Sequence, residues 1–328
     1  MMRPFASTIS LDEARRRLAD AAHQISRVDR VAVASAAGRV MACDVTSPLD
    51  VPPFARSAMD GYAVVSGDTQ VATRSTPVTL RLVDRIYTGQ MPTATVTPGT
   101  CAEIATGAPL PAGADAVVMV EDTAAAVDNR IEVRVAAKPG QHVGRRGADI
   151  TAGSLVARAG DLLTPSRVGS LAAIGRSDID VFAQPRVAIL STGNEVVEPG
   201  QSLAPGQIFD VNRFTLAAIV AAHGGVPDPR PPVPDSLDAL TRALDECADA
   251  DMIIFSGGSS VGERDLILDL VNARGRMIFH GIAIKPGKPT AFAIVSGKPF
   301  FGMPGNPDRK STRLNSSHLK LSRMPSSA

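Results

Sequence analysis

The stretch "DMIIFSGGSSVGERDLILDLV", residues 251–271, decides how the chain folds. An apolar run from Met252 to Phe255 stops at Ser256. Glycines and hydroxyls follow, then the acids Glu263 and Asp265, then a helical-looking "LILDLV". Short unbroken apolar runs of this kind suit strands buried on both faces of a parallel sheet. A glycine and hydroxyl turn that leads from such a strand into a helix aims backbone N–H groups at an anion. Ligands of open α/β sheets lie beyond the carboxyl ends of the strands, which is where this turn sits.

"RVAILSTGNE", residues 186–195, repeats the chemistry. Between the two lie the helical patterns "NRFTLAAIVAAHGG", closed by Gly224, and "SLDALTRALDECA", opened by Asp235 or Ser236. Strands alternating with helices predict an α/β domain over residues 184–307. The proline-dense "GVPDPRPPVPD", residues 225–235, reads equally as a linker or as an edge strand and turn.

Upstream, residues 10–26 predict an amphipathic helix. Ser10 and Glu13 form a capping box, and Leu11, Ala14, Leu18, Ala21 and Ile25 line one face. The triplet Arg15, Arg16, Arg17 reads as the solvated face of that helix. Thr164, Pro165 and Gly175 bracket a further helix over 165–174. Between them, residues 52–150 change character: "PVTLRLV", "DAVVMVED" and "RIEVRVAA" alternate with turn clusters such as "PLPAGAD" and "VDNR". The fold class expected is therefore α/β plus β-rich and multidomain. Residues 1–51 and 151–183 form a helical and mixed part, 52–150 an inserted β-rich module, and 184–307 the α/β domain. Residues 308–328, "DRKSTRLNSSHLKLSRMPSSA", carry neither period, look non-native and stay outside the fold reasoning.

Length and composition set the bounds. The 328 residues are enough for two or three domains. Lys and Arg number 34 against 33 Asp and Glu, a formal charge of +1, so no global field recruits nucleic acid or a membrane surface. Cys43, Cys101 and Cys247 are odd in number and form no C-x-x-C pair, which points to structural thiols in a reducing compartment. With no apolar stretch long enough to span a bilayer and no signal core at the N-terminus, the cytoplasm is the expected location.

The two strand-end loops supply the candidate site: Ser191, Thr192 and Gly193 after the first strand, Gly257, Gly258 and Ser259 after the second. Neither loop contains G-x-x-x-x-G-K-[ST] or G-x-G-x-x-G, so the standard nucleotide folds lose support. Glu195 and Asp265 would repel a bare phosphate, and a hard cation between them relieves the repulsion. Mg²⁺ binds one or two carboxylates together with phosphate oxygens and water, so these acids point to a metal-bridged phosphate ester or pyrophosphate. For Asp265 the alternative is a helix N-terminal acid favoured by the dipole. Lys285 and Lys288 in "AIKPGKPTAF" bring positive charge on a bent, proline-flanked stretch. In the β-rich module, Asp60-Gly61 within "RSAMDGYAV" reads first as a tight turn. Thr106-Gly107 within "IATGAPLPAGAD" either touches a ligand or punctuates two strands.

Seven stretches occur in order across residues 5–307: "RSAMDGYAV", "IATGAPLPAGADAVVMVEDT", "GQHVGRRGADI", "ILSTGNEV", "FSGGSSVGERD", "AIKPGKPTAF" and "MPGNP". Together they resemble the molybdopterin molybdenumtransferase family, the MoeA and gephyrin E-domain group. The resemblance implies insertion of molybdate into adenylylated molybdopterin with release of AMP, assisted by Mg²⁺, to complete the molybdenum cofactor. It implies an elongated homodimer whose active site is shared between subunits, and an adenylating enzyme as transient partner. Asp60, Glu195, Asp235 and Asp265 match catalytic positions, with Glu195 and Asp265 as metal ligands. Thr106, Asp149, Lys285 and Lys288 match substrate-binding positions, and Pro304 and Pro307 match the loop beneath the substrate. Asn194 stands where the family often carries an acid. The family also continues past "GNP" into a helix and a small β domain, which leads one to expect a C-terminally truncated α/β domain with an exposed face. Two other functional classes fit the same motifs: a scaffold of this fold, and a different Mg²⁺-dependent nucleotidyl enzyme.

Overall fold

A computed structural model of the chain describes residues 8–193, 195–257, 266–284 and 289–303. The described residues fall into two compact units. One holds those of Met1–Asp29 and Val181–Ala328, the other is Arg30–Asp180.

Helix α1 (Leu11–Ala21) starts as its capping box predicts, with the Glu13 N–H donating to Ser10 Oγ at 3.1 Å. It ends several residues before the predicted limit. The sequence groups this helix with residues 151–183; in the structure its Ala14, Leu11 and Leu18 pack on Phe279, Ile282 and Phe292 of the α/β unit. Arg16 and Arg17 both pair with Glu13 on the same helix, so the basic triplet is largely neutralised locally.

The unit Arg30–Asp180 is built on six strands: β1 (Gly61–Val64), β2 (Val78–Ile86), β3 (Thr100–Ile104), β4 (Ala116–Met119), β5 (Thr123–Ala126) and β6 (Arg130–Val133). Their order is β4-β1-β3-β2-β6-β5, antiparallel except for the β2–β3 pair. "VDNR" makes the β5–β6 turn, with Asp128 and Asn129 both left-handed, a conformation these two residue types tolerate best after glycine. Val64, Leu80, Cys101, Val118 and Val133 fill one face of the sheet and Ala63, Ile86, Ala102, Ile104 and Val117 the other, the period-two alternation expected of half-buried strands. Burial pushes the Cys101 thiol up to about 12. Helix α2 (Pro165–Ala173) opens on Thr164 and closes at left-handed Gly175.

The second unit is a mixed six-stranded sheet. Along the chain come β7 (Arg186–Ser191), α3 (Val211–Ala222), β8 (Val226–Pro229), α4 (Leu237–Asp245), β9 (Met252–Ser256), α5 (Leu266–Arg274), β10 (Gly275–His280), β11 (Ala291–Val295) and β12 (Lys298–Met303). The order is β8-β7-β9-β12-β11-β10; the first four strands run parallel, β11 runs against them, and β10 pairs antiparallel with β11. Both apolar runs singled out in the sequence are thus central parallel strands. The proline-dense segment supplies the edge strand β8, where a residue without an N–H is tolerated on the side facing away from the sheet.

Alternate residues of β7 meet opposite layers. Val187 and Ile189 pack with Leu216 and Val220 of α3. Ala188 and Leu190 pack with Leu240 and Leu244 of α4 and with Leu270 and Val271 of α5. Fully burying one such side chain stabilises the fold by about 1.5–3 kcal/mol. Phe301, packed with both the α1 and the α3 clusters, puts those helices on one face. Among the described residues, then, the sheet carries helices on both faces. No helix among the described residues is long and apolar enough to cross a membrane.

Two residues competed to open α4, and Ser236 is the cap: its Oγ accepts the Ala239 N–H at 3.3 Å. Asp235 is exposed one residue earlier, free of the capping role. Ser236→Ala should therefore lower stability by about 1 kcal/mol, and Asp235→Ala should change it by no more than about 0.5 kcal/mol. Urea denaturation of the two variants checks the assignment.

Candidate active site

In the α/β unit the parallel register brings three strand ends level: Ser191 pairs with Ser256, and Ser256 with Met303. Beyond this line the backbones cross-link. Thr192 N donates to Ser256 O at 3.0 Å, Gly257 N to Met303 O at 3.3 Å, and Val233 N to Ser191 O at 2.8 Å. Thr192 also bridges Val233. Gly257 has a φ of +134°, and a Cβ there would lie 2.5 Å from both O and Oγ1 of Thr192. No other residue type fits without parting the two loops.

The same close approach buries hydroxyls. Ser191 is 2% exposed and Thr192 4%, and neither Oγ of Ser191 nor Oγ1 of Thr192 has a hydrogen-bond partner among the described residues. Native structures rarely leave buried hydroxyls unpaired, because each costs about 1–3 kcal/mol. A pair of them at the carboxyl ends of parallel strands suits a ligand rich in oxygen atoms. Glu195, exposed, stands two residues beyond Gly193. A Cβ on Gly193 would fall 2.8 Å from Glu195 Oε2, so the carboxylate leans back over the glycine.

The segment after Glu195 is fastened by a residue that the sequence reading passed over. Glu195 O and Val197 O accept from Ile208 N and Asp210 N, making a short parallel ribbon. Buried Arg213 on α3 donates to Glu198 Oε1 at 2.8 Å and to Arg230 O at 3.2 Å, with Asp210 Oδ2 3.5 Å from its Nε. The guanidinium holds the Glu198 carboxyl below the usual carboxylate range. Within "NRFTLAAIVAAHGG" this arginine looks like any polar helical position; only burial distinguishes it. Asp235, exposed, follows two residues after Val233, whose N–H is bonded to Ser191 O. Gly258, Ser259, Asp265, Lys285, Lys288, Pro304 and Pro307 lie outside the described residues.

The unit Arg30–Asp180 carries the other predicted positions. Asp60 and Thr106, 46 residues apart, are brought together: Thr106 N and Oγ1 both donate to Asp60 Oδ1, at 2.7 and 2.9 Å. These bonds hold the Asp60 carboxyl below its ordinary range, the backbone N–H contributing most and the hydroxyl next. Asp60 can stand there because Gly61 follows it into the centre of the sheet, where a Cβ would lie 1.9 Å from Val118 O. Ser57 Oγ, buried, fixes the preceding turn by donating to Met59 O at 2.5 Å. Asp149 is not part of the Asp60 pair; its Oδ2 lies 3.7 Å from Arg56 Nη2. Arg56 belongs to "RSAMDGYAV", yet its charge partner, 93 positions along the chain, could not be read from that motif.

Comparison with known proteins decides the family. A model of the "MoeA N-terminal region (domain I and II)" matches residues 9–175, and a "Probable molybdopterin binding domain" matches residues 188–319, extending into the stretch that begins at Asp308. The chain belongs to the MoeA family. It is 40% identical over 284 residues to molybdopterin molybdenumtransferase 2 of Mycobacterium tuberculosis, covering 84% of this chain and 70% of the relative. It is 36% identical to the molybdopterin molybdenumtransferase of Haemophilus influenzae, covering 91% and 73%. The crystal structure of the molybdopterin biosynthesis MoeA protein of Pyrococcus horikoshii OT3 superposes with a TM-score of 0.82 at 29% identity, over 96% of this chain and 79% of that one. As a MoeA-family member the chain has an enzymatic role in molybdopterin and molybdenum cofactor biosynthesis.

A carboxyl group whose folded pKa is depressed contributes stability above its unfolded pKa and loses it as pH falls through the folded value. Thr106→Val removes one of the two donors to Asp60 and keeps the backbone bond. The Asp60 pKa should rise part of the way towards the ordinary aspartate value, so that the carboxylate protonates earlier on acidification. Carboxyl carbon NMR titration of wild type and variant measures the shift.

Proposed function

We propose that the chain is a Mg²⁺-dependent molybdenumtransferase: it inserts molybdate into adenylylated molybdopterin and releases AMP. The observation that carries the reading is the level line of strand ends, where the buried hydroxyls of Ser191 and Thr192 lack partners among the described residues beside an exposed Glu195 carboxylate. It is supported by names that two relatives bear, the molybdopterin molybdenumtransferases of Mycobacterium tuberculosis and Haemophilus influenzae.

The donors fit a hard cation. Carboxylate and hydroxyl oxygens are the ligands that Mg²⁺ accepts, and it keeps several waters while taking one or two carboxylates plus phosphate oxygens. Glu195 and Asp265 would hold it. Bound there, Mg²⁺ neutralises charge on the pyrophosphate of the substrate.

The remaining roles fall to this chain's own groups. The backbone at Gly193 and Gly257 lets the two loops close on each other, and Ser191 and Thr192 meet the oxygens of the substrate phosphates. Lys285 and Lys288 attract the molybdate oxyanion as compact point charges. Asp235, at the start of α4, faces the leaving AMP. Gly258, Ser259, Pro304 and Pro307 are further substrate-binding positions by the family resemblance. The thiolates that take up molybdenum belong to the pterin, so no protein cysteine takes part; Cys101 and Cys247 are buried, and desolvation pushes both thiols up.

The functional form we infer is a homodimer in which Asp60, Thr106 and Asp149 of one subunit complement the strand ends of the other. A molybdopterin-adenylating enzyme supplies the substrate as a transient partner. AMP release measured with adenylylated molybdopterin tests the reading: it should require both molybdate and Mg²⁺. Glu195→Gln should raise the Mg²⁺ concentration for half-maximal release at least about tenfold, ~1.4 kcal/mol in binding, with the urea midpoint unchanged. AMP release that ignores molybdate would instead mark a different nucleotidyl enzyme.

A further inference from the structure

The β sheet of Arg30–Asp180 ends in a depression of about 230 Å³. It opens where β1 begins, where β2 and β3 finish and where β4 runs into Val120. Asp60, Tyr62, Tyr87 and Glu103 give it polar groups, while Ile104 and Val120 give it apolar wall.

Its aromatic content stands out against the whole chain. The sequence has no Trp and only two Tyr, and both line this one depression. Tyr62 is held inside: it packs on the cluster around Val64 and Val118 and faces Glu103 across the β1–β3 register. Burial and the neighbouring Glu103 charge push its hydroxyl up, so it stays a protonated donor. Tyr87 is different. It follows the last residue of β2 and is 52% exposed, an aromatic ring at the rim with nothing in the core requiring it. Exposed aromatic faces beside polar groups are platforms on which flat heterocycles stack.

The polar groups specify which heterocycle. Asp60 uses Oδ1 for both Thr106 bonds, and its Oδ2 has no partner among the described residues. Glu103 Oε2 accepts from Arg85 Nε at 3.0 Å, which steadies the side chain and leaves Oε1 available. Carboxylates accept hydrogen bonds and donate none, so the ring they select must present N–H groups along an edge.

We propose that this depression binds the amine-bearing nitrogen heterocycle of the substrate, its plane against Tyr87 and its N–H edge towards Asp60 and Glu103. The inference rests on the function proposed above, whose substrate carries two rings of this chemistry, the pterin and the adenine. Both have an exocyclic amine. Asp60 thereby acts on the ring end of the substrate, and Tyr87 becomes a determinant of substrate affinity.

The tyrosine pair also supplies the test, because meta-fluorotyrosine incorporated into the full chain gives fluorine resonances from this depression alone. The probes are AMP, a free hydroxymethylpterin, and ribose phosphate as the ring-free control. Saturable shifts with AMP alone assign the depression to adenine and shifts with the pterin alone assign it to the pterin; either result, or both, supports the proposal. Shifts with neither probe, or equal shifts with ribose phosphate, overturn it. Tyr87→Ala should weaken the responsive probe about tenfold, the effect typical of losing one stacking partner, while Tyr87→Phe keeps the affinity. Equal affinity in Tyr87→Ala would also overturn the proposal. AMP release by the wild type, run in parallel, separates the two readings: turnover without ring binding removes this inference and leaves the function, and ring binding without turnover does the reverse.

Discussion

The candidate site depends on a backbone contact between two loops. Parallel pairing brings the ends of β7, β9 and β12 level at Ser191, Ser256 and Met303, and the next residues bond across the line. Gly257 meets Thr192 so closely that a single added carbon would collide with its carbonyl. That approach carries the Ser191 and Thr192 hydroxyls into a buried position, and Gly193 leaves room for the Glu195 carboxylate to lean back over the strand end. Remove the contact and the loops part, the hydroxyls reach water, and nothing holds oxygen donors together.

Rigidity comes from the elements around that line rather than from the loops. Residues Val187 to Leu190 are anchored alternately in two helical layers, and a strand fixed on both faces has no freedom to slip by one residue. Arg213 extends the same order outwards by joining Glu198, Asp210 and the Arg230 carbonyl around one guanidinium. A buried arginine of this kind is tolerated because its Nη1 donates to Glu198 and to the Arg230 carbonyl and two carboxylates offset its charge. The segment that bears Glu195 is thus tied at its base.

Charge is handled locally throughout. A chain with a formal charge of +1 has no overall field with which to attract an anionic substrate. It instead sets small groups of opposite sign where they are used. Asp60 is kept ionised by Thr106, Arg56 stands against Asp149, and Glu13 absorbs the arginines of α1.

Much of the fold was legible in the residues. Ser10 with Glu13, Thr164 with Pro165, and the unbroken runs before Ser191 and Ser256 each state a local preference that nothing elsewhere opposes. The sequence by itself therefore determined the helices that begin at residues 11, 165, 211 and 237 and the two central parallel strands, that the strand-end loops carry glycines and hydroxyls, and, through its ordered motifs, the family. Tertiary structure alone decided the rest. It chose Ser236 over Asp235 as the cap of α4, made the proline-dense segment an edge strand, and sent α1 to the α/β sheet. It also joined Asp60 to Thr106, buried Arg213, and gathered both tyrosines at one end of a sheet. The division has a physical cause. Caps, periods and turns are set within a few residues of the chain, whereas register, burial and charge pairing arise from packing between segments that lie far apart in sequence.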